Sequence, residues 1–312
     1  MKLRLKSIFS SRDGEVDGAR PICARRDCEN KMPARFLSSG RSGITVGEQW
    51  YCSIDCFSLG AHEVLDSLSA AEVVELPRNP RFSLGLALLM KGYLTTEQFQ
   101  HAMNRNEVEG IKLETTVVEQ GWVTERQLAT ARAAQWGYPV LGQDLSGHLV
   151  VADLPPILFS TCSATPLYYS SERLVLGFIH RVDHSLLQAI EKISGCRAEP
   201  CFITPTQLAR QLERMTGPPR YEQVLVESPG TVEQMTRTLR GYAVQIGATD
   251  GGFARCHSFV WSRLAGGRET VDVLFDLKGA EAAFPSQSRQ EAVGMNASLM
   301  VDAFVKSASQ QR

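Results

Sequence analysis

Residues 83–106, SLGLALLMKGYLTTEQFQHAMNRN, and 112–135, KLETTVVEQGWVTERQLATARAAQ, are two copies of one pattern set 29 residues apart. Leu84/Leu113, Gly92/Gly121, Thr95/Thr124, Gln98/Gln127 and Ala102/Ala131 are identical, while Leu88/Val117, Leu89/Val118, Tyr93/Trp122, Leu94/Val123 and Phe99/Leu128 keep their character. Each copy reads as a short helix, a turn and a second helix. Gly92 suits the left-handed C-terminal cap of LGLALLMK, and Thr95 can N-cap the helix that follows. Thr124, with Gln127 three residues on, has the spacing of a capping box. A unit used twice in tandem predicts one packed helical subdomain with a continuous surface.

Around this repeat, 312 residues with 43% hydrophobic and 21% charged content read as a folded protein of two or three domains. A net charge of −1 gives no global field for nucleic acid or acidic membranes. The first 41 residues are an exception, with ten Lys/Arg against five Asp/Glu, a local basic arm. No run of 18 apolar residues exists, and the opening MKLRLKSIFSSRDGE lacks the apolar core of a secretory signal. The expectation is a cytoplasmic protein, in which eight cysteines point to metal binding or buried thiols.

The fold class expected is α+β and multi-domain. Residues 1–20 read as a flexible N-terminus and 21–75 as a zinc-finger-like module. The link LPRNPR (76–81) leads into the tandem helical subdomain at 76–136, followed by a small α/β subdomain at 137–216. There PVLGQDL, LVLGFIH and CRAEPCFIT read as strands, and HSLLQAIEKIS and TPTQLARQLERM as helices. TGPPRYEQ with ESPG (216–230) reads as a boundary. A module at 230–280 combines the amphipathic helix VEQMTRTLRGYAVQIG with a hairpin whose strands are GFARCHSFVWSRL and TVDVLFDLK. A tail at 281–312 holds one weak helix near 290–306.

Cys23-x4-Cys28 and Cys52-x3-Cys56 supply four thiolates in two pairs. Four soft ligands on tight turns are what tetrahedral zinc needs, and four cysteines leave no open position for catalysis. The helix beginning in WYCSIDCFSLGAHEVLDSL puts its N-terminus at the last ligand, where its dipole favours thiolate. The arrangement resembles a treble-clef zinc finger, apart from the wider first spacing, with His62 as a substitute ligand. Cys162, Cys196, Cys201 and Cys256 are scattered and read as inert thiols.

Each repeat copy is similar to the pattern Arg-Leu-Gly-x-x-Leu-Val-x-x-Gly-Leu-Ile-Ser-x-x-x-Leu, which occurs twice in the N-terminal domain of type II secretion and type IV pilus assembly ATPases. The resemblance continues through Trp136–Pro139, Leu154–Pro155, Pro166–Leu167, Leu174–Phe178, Gly195 and Glu199–Pro200, and so covers about residues 80–215. Residues 241–267 resemble the segment that precedes the motor in those ATPases, with Ala248-Thr249-Asp250 and Arg263-Leu264-Ala265-Gly266 in the corresponding places. No Gly-x-x-x-x-Gly-Lys-Ser/Thr loop occurs, so nothing here is read as a cradle for ATP phosphates.

Some members of that family bind cyclic di-GMP across both copies, through the arginine, the leucine pair and the glycine of each. Carried over by position, the candidate nucleotide residues are Ser83, Leu84, Gly85, Leu88 and Leu89 in the first copy and Lys112, Leu113, Glu114, Val117 and Val118 in the second. Ser83 and Lys112 replace the arginines, and lysine keeps charge without the bidentate fork. Glu114 replaces a glycine with a carboxylate that repels a dianion. Arg81, two residues before Ser83, can partly compensate. The resemblance therefore implies a non-enzymatic adaptor or regulator docking on a protein partner, with a component of the secretion or pilus machinery as the candidate. The alternatives are a cyclic di-GMP receptor and a zinc-dependent nucleic-acid-binding regulator using the basic arm. His180, Asp183 and His184 form a close polar group that reads as a strand end and a helix cap.

Overall fold

A short hairpin and one long helix carry the N-terminal cysteines. The computed structural model describes residues 22–30, 43–71, 80–142, 154–170, 172–215, 221–267 and 269–279. Strands β1 (Ile44–Val46) and β2 (Gln49–Tyr51) turn at Gly47, whose φ of 59° is the left-handed value that a two-residue hairpin loop favours. Helix α1 (Ile54–Ala70) follows, N-capped by Ser53, whose Oγ accepts from the Cys56 amide at 3.2 Å. Residues 1–20, most of the 76–81 link and the 281–312 tail with its expected helix lie outside the described residues.

The duplicated pattern folds as four helices: α2 (Leu84–Met90), α3 (Thr96–Glu109), α4 (Leu113–Glu119) and α5 (Glu125–Trp136). Both turns are built identically. Gly92 and Gly121 share a φ of 65°. The amides of Tyr93 and Gly92 donate to the carbonyls of Leu88 and Leu89, as those of Trp122 and Gly121 do to Val117 and Val118, the paired bonds of a Schellman cap. Thr95 with Gln98, and Thr124 with Gln127, close reciprocal capping boxes. The copies interleave, because α2 packs on α5 and α3 on α4. Their shared core is Ala87, Leu88, Leu94, Ala102, Val117, Val123, Leu128 and Ala131. Helices of seven residues are marginal alone, so burial against the other copy holds them.

Next come α6 (Pro156–Thr161), β3 (Ala164–Ser170), β4 (Arg173–Phe178), α7 (His184–Ser194), β5 (Arg197–Phe202) and α8 (Pro205–Met215). The sheet order is β3-β4-β5, with β3–β4 antiparallel and β4–β5 parallel. Strands at LVLGFIH and CRAEPCFIT and both helices match the expectation. PVLGQDL gives only a bridge, Val140 with Phe202, and its residues 143–145 lie outside the described ones. Sequence reading missed α6 and β3. In β3 a register shift between Pro166 and Tyr168 interrupts the alternation that marks a strand.

The described residues close with β6 (Glu222–Glu227), α9 (Val232–Gln245), β7 (Asp250–Cys256), β8 (Phe259–Gly266) and β9 (Glu269–Asp276), then a 3₁₀ turn at Leu277–Gly279. The single strand expected over GFARCHSFVWSRL is two. His257, at φ 52°, turns the chain between β7 and β8, so a three-strand meander replaces the hairpin. β6 lies in the segment read as a boundary and pairs in parallel with β9. One six-stranded sheet runs β2-β1-β7-β8-β9-β6, so residues 44–51 and 222–276 share a sheet although the sequence suggests separate modules.

The chain divides into two compact units. One takes the residues up to 75, the segment 185–196 and those from 218 to 291; the other includes 76–184 and 197–217. In the first, Ile193 packs on β7 at Gly252, where an added Cβ would lie 3.0 Å from its Cδ1. On β9, between β8 and β6, Asp272 is fully buried. It accepts from Trp261 Nε1 at 2.7 Å, from Arg263 Nε at 2.8 Å and from Arg263 Nη2 at 2.7 Å. The Arg263 guanidinium also lies 5.2 Å from the Tyr221 ring centre and 5.3 Å from that of Trp261. Asp272→Ala strands that cation in the sheet and is expected to cost about 3–5 kcal/mol, read as a shift in the urea midpoint.

Candidate functional site

Among the described residues, each unit gathers a group of chemistry-bearing side chains. In the first unit Cys23 and Cys28 flank a turn closed by Cys28 N donating to Arg25 O at 3.0 Å. Cys52 follows β2 directly, and Cys56 sits in the first turn of α1. The four Sγ atoms all lie within 4.8 Å of one another, with Cys28–Cys52 at 3.6 Å and Cys52–Cys56 at 3.7 Å. A tetrahedral zinc with Zn–S bonds of about 2.3 Å sets its sulfurs about 3.8 Å apart, so this thiol set fits the ion. His62 is not needed to complete it.

The surroundings favour thiolate. Burial pushes the Cys56 thiol up, but hydrogen bonds from Ser53, Cys52, Arg25 and Cys23 outweigh it and hold it down to about 7. Asn30 Nδ2 donates to Cys52 Sγ at 3.4 Å. Ala24 N donates to Trp50 O at 2.8 Å, tying the first cysteine turn to the hairpin. Cys196 and Cys201 differ. Burial pushes Cys201 up to about 12 and raises Cys196, so neither supplies thiolate at neutral pH.

In the second unit the tandem positions divide by exposure. Arg81, Ser83 and Lys112 are exposed, and Leu84, Leu89, Leu113, Glu114 and Val118 are half-buried. Gly85, Leu88 and Val117 are buried, the last two completely, inside the helical core. Ser83 caps α2, its Oγ accepting from the Leu86 amide at 3.2 Å, whereas Lys112 heads α4 with no side-chain cap. The Arg81 guanidinium lies against Gly137, where an added Cβ would be 2.7 Å from its Cζ.

Gly85 is held to glycine from within the fold. A Cβ there would lie 2.3 Å from Cε2 of Phe99. In the second copy Leu128 takes the place of Phe99 and Glu114 that of Gly85. The Glu114 carboxylate is occupied, with Oε1 3.2 Å from Nη2 of Arg132, a buried arginine whose Nη1 donates to the Ile179 carbonyl. Burial lowers the Arg132 pKa and Glu114 opposes the change. Sequence reading missed Arg132. The available signal was a paired break in the repeat, because Gly85 and Met103 in the first copy become Glu114 and Arg132 in the second. His180 is held down to about 4, by burial and then by the Arg132 charge, with Glu114 opposing. His184 Nε2 lies 3.4 Å from Tyr138 Oη.

The outer side of α2 shows Leu86 and Met90, 45% and 70% exposed and one turn apart. Their counterparts in the second copy are Thr115 and Glu119.

No protein-family model matches the chain. A 125-residue stretch is 31% identical to the type IV pilus assembly ATPase PilB of Thermus thermophilus, covering 39% of this chain and 14% of that protein. The chain thus matches only about a seventh of that relative's length. Among solved structures, MshE with cdg is 25% identical, over 43% of this chain and 99% of that one, with a TM-score of 0.36. The N-terminal domain of XpsE is 19% identical, over 43% and 94%, with a TM-score of 0.33. This chain carries a segment similar to part of a type IV pilus assembly ATPase. The similarity to the pilus ATPase agrees with the family resemblance expected from the sequence.

Glu114→Gln leaves Arg132 buried without its counter-charge and is expected to cost about 3–5 kcal/mol by urea denaturation. Pairing it with Arg132→Met, the residue of the first copy, recovers most of that loss. In the single variant the NMR titration midpoint of His180 moves lower still, because the opposing carboxylate is gone.

Proposed function

We propose that this chain is a non-catalytic cytoplasmic adaptor or regulator that docks on a protein partner through its tandem helical repeat, with structural zinc on Cys23, Cys28, Cys52 and Cys56. The observation that carries the docking role is the division of labour within the repeat. Positions that would face a nucleotide serve the fold instead: Gly85 lies under Phe99, Leu88 and Val117 fill the core, and Glu114 neutralises Arg132. Helix α2 meanwhile presents Leu86 and Met90 to solvent, and exposed apolar pairs of this kind suit protein contact. The likeness to a pilus ATPase makes a component of secretion or pilus machinery the natural partner. The sequence has no Gly-x-x-x-x-Gly-Lys-Ser/Thr loop, so the ATP chemistry of a P-loop motor is not part of this proposal. Among the described residues no helix is long and apolar enough to cross a membrane.

A cyclic di-GMP receptor is the second reading, favoured by Arg81 and Lys112, cations exposed at the start of each copy. Against it, each lost charged hydrogen-bonding contact costs about 1.5–3 kcal/mol, and both arginine positions are altered.

Calorimetry on the whole chain separates the two. The adaptor reading expects no micromolar heat with cyclic di-GMP, and loss of partner capture by Leu86→Asp/Met90→Asp. A micromolar signal abolished by Arg81→Ala and Lys112→Ala establishes the receptor instead. Elemental analysis is expected to find one zinc per chain, lost in Cys28→Ser/Cys52→Ser.

A further inference from the structure

We infer that the four-cysteine centre clasps the whole first unit, so that metal occupancy decides whether α9 and the β7–β9 meander stay folded, and not only the segment that supplies the ligands. This rests on the zinc reading above. Strand β1 sits inside the six-stranded sheet, between β2, which leads into Cys52, and β7. It pairs in parallel with β7 through Thr45–Asp250 and Val46–Gly251. Thr45 N donates to Thr249 O at 2.8 Å, and Gly47 N to Gly251 O at 3.4 Å.

The packing is equally shared. Cys23 and Cys56, two of the four ligands, belong to the same apolar cluster as Met235, Leu239, Phe253 and Val260. Helix α1 lies along α9, with Arg240 Nη1 2.6 Å from Asp55 Oδ1, one residue before Cys56. Gly60 presses on the Tyr51 ring so closely that a Cβ would sit 2.4 Å from it.

The strands of this layer are slight by themselves. β1 and β2 are three residues each, below what an isolated hairpin needs to persist in water. A bound ion fixes the turn at Cys23–Cys28, the end of β2 and the start of α1 to one point. Without it, three tethers become independent. β7 then becomes an edge strand, and the side of α9 carrying Met235, Leu239 and Ala243 loses its cover.

Hydrogen exchange read by mass spectrometry on the full chain tests this, comparing zinc-loaded protein, chelator-treated protein and Cys28→Ser/Cys52→Ser, with zinc content measured in each. These two ligands are the half-buried ones, so their replacement disturbs packing least. The expected result is exchange rising about tenfold or more across 232–256 in both metal-free samples, with 84–136 unchanged, a local opening of one unit. Zinc restores protection to the chelated wild-type chain and not to the variant. Zinc present, with protection lost only in 22–71, overturns the clasp and leaves the zinc reading standing. A chain that takes up no zinc overturns both.

Discussion

Helices too short to exist alone govern the middle of this protein. α2 and α4 have seven residues each, and nothing in so short a segment outweighs the cost of nucleating a helix. They persist because each gives its apolar side to a longer helix of the other copy, α2 to α5 and α4 to α3. That exchange makes the repeat one object, and neither half is a complete core. It also explains which residues recur. The glycines at 92 and 121, the threonines at 95 and 124 and the glutamines at 98 and 127 fix where one helix ends and the next begins. Leu88, Leu94, Val117 and Val123 fill the space between.

A pattern anchored in caps and core is legible from sequence because its causes are local. The Schellman glycines and capping boxes are bonds between residues within five positions of each other, so spacing alone announces them. The cysteine centre was legible for a related reason, since thiol pairs on turns carry their own geometry. What could not be read depends on distant partners. β3 hides behind its proline and its register shift, and β6 behind a proline- and glycine-rich segment. The turn at His257 breaks a run of strand-forming residues where no glycine or proline marks it. The union of residues 44–51 with 222–276 in one sheet joins segments nearly two hundred residues apart, through backbone bonds that leave no mark on composition.

The exposed and buried sides of the repeat also answer to different constraints. Gly85 has an internal cause, the ring of Phe99, so its presence says nothing by itself about a ligand. Ser83 likewise replaces a charged residue with a competent helix cap. Two of the departures from the nucleotide-binding pattern, Ser83 and Glu114, thus have a role in the fold, whereas Lys112 caps nothing.

The second copy shows this most clearly. A carboxylate alone at position 114 would be a liability, and so would a cation alone at 132, buried as it is. Together they neutralise each other at 3.2 Å, and the guanidinium also satisfies the Ile179 carbonyl at the end of β4. Burying such a pair seldom stabilises a fold more than apolar residues would, but removing one member is costly, so the pair locks its geometry. Arg132 thereby ties α5 to the small sheet, and Glu114 ties α4 to the same point. The first copy, with Gly85 and Met103 at these positions, has no such lock. The two copies thus differ: the second fastens the helical subdomain to the sheet, and the first leaves Leu86 and Met90 exposed where the second has Thr115 and Glu119.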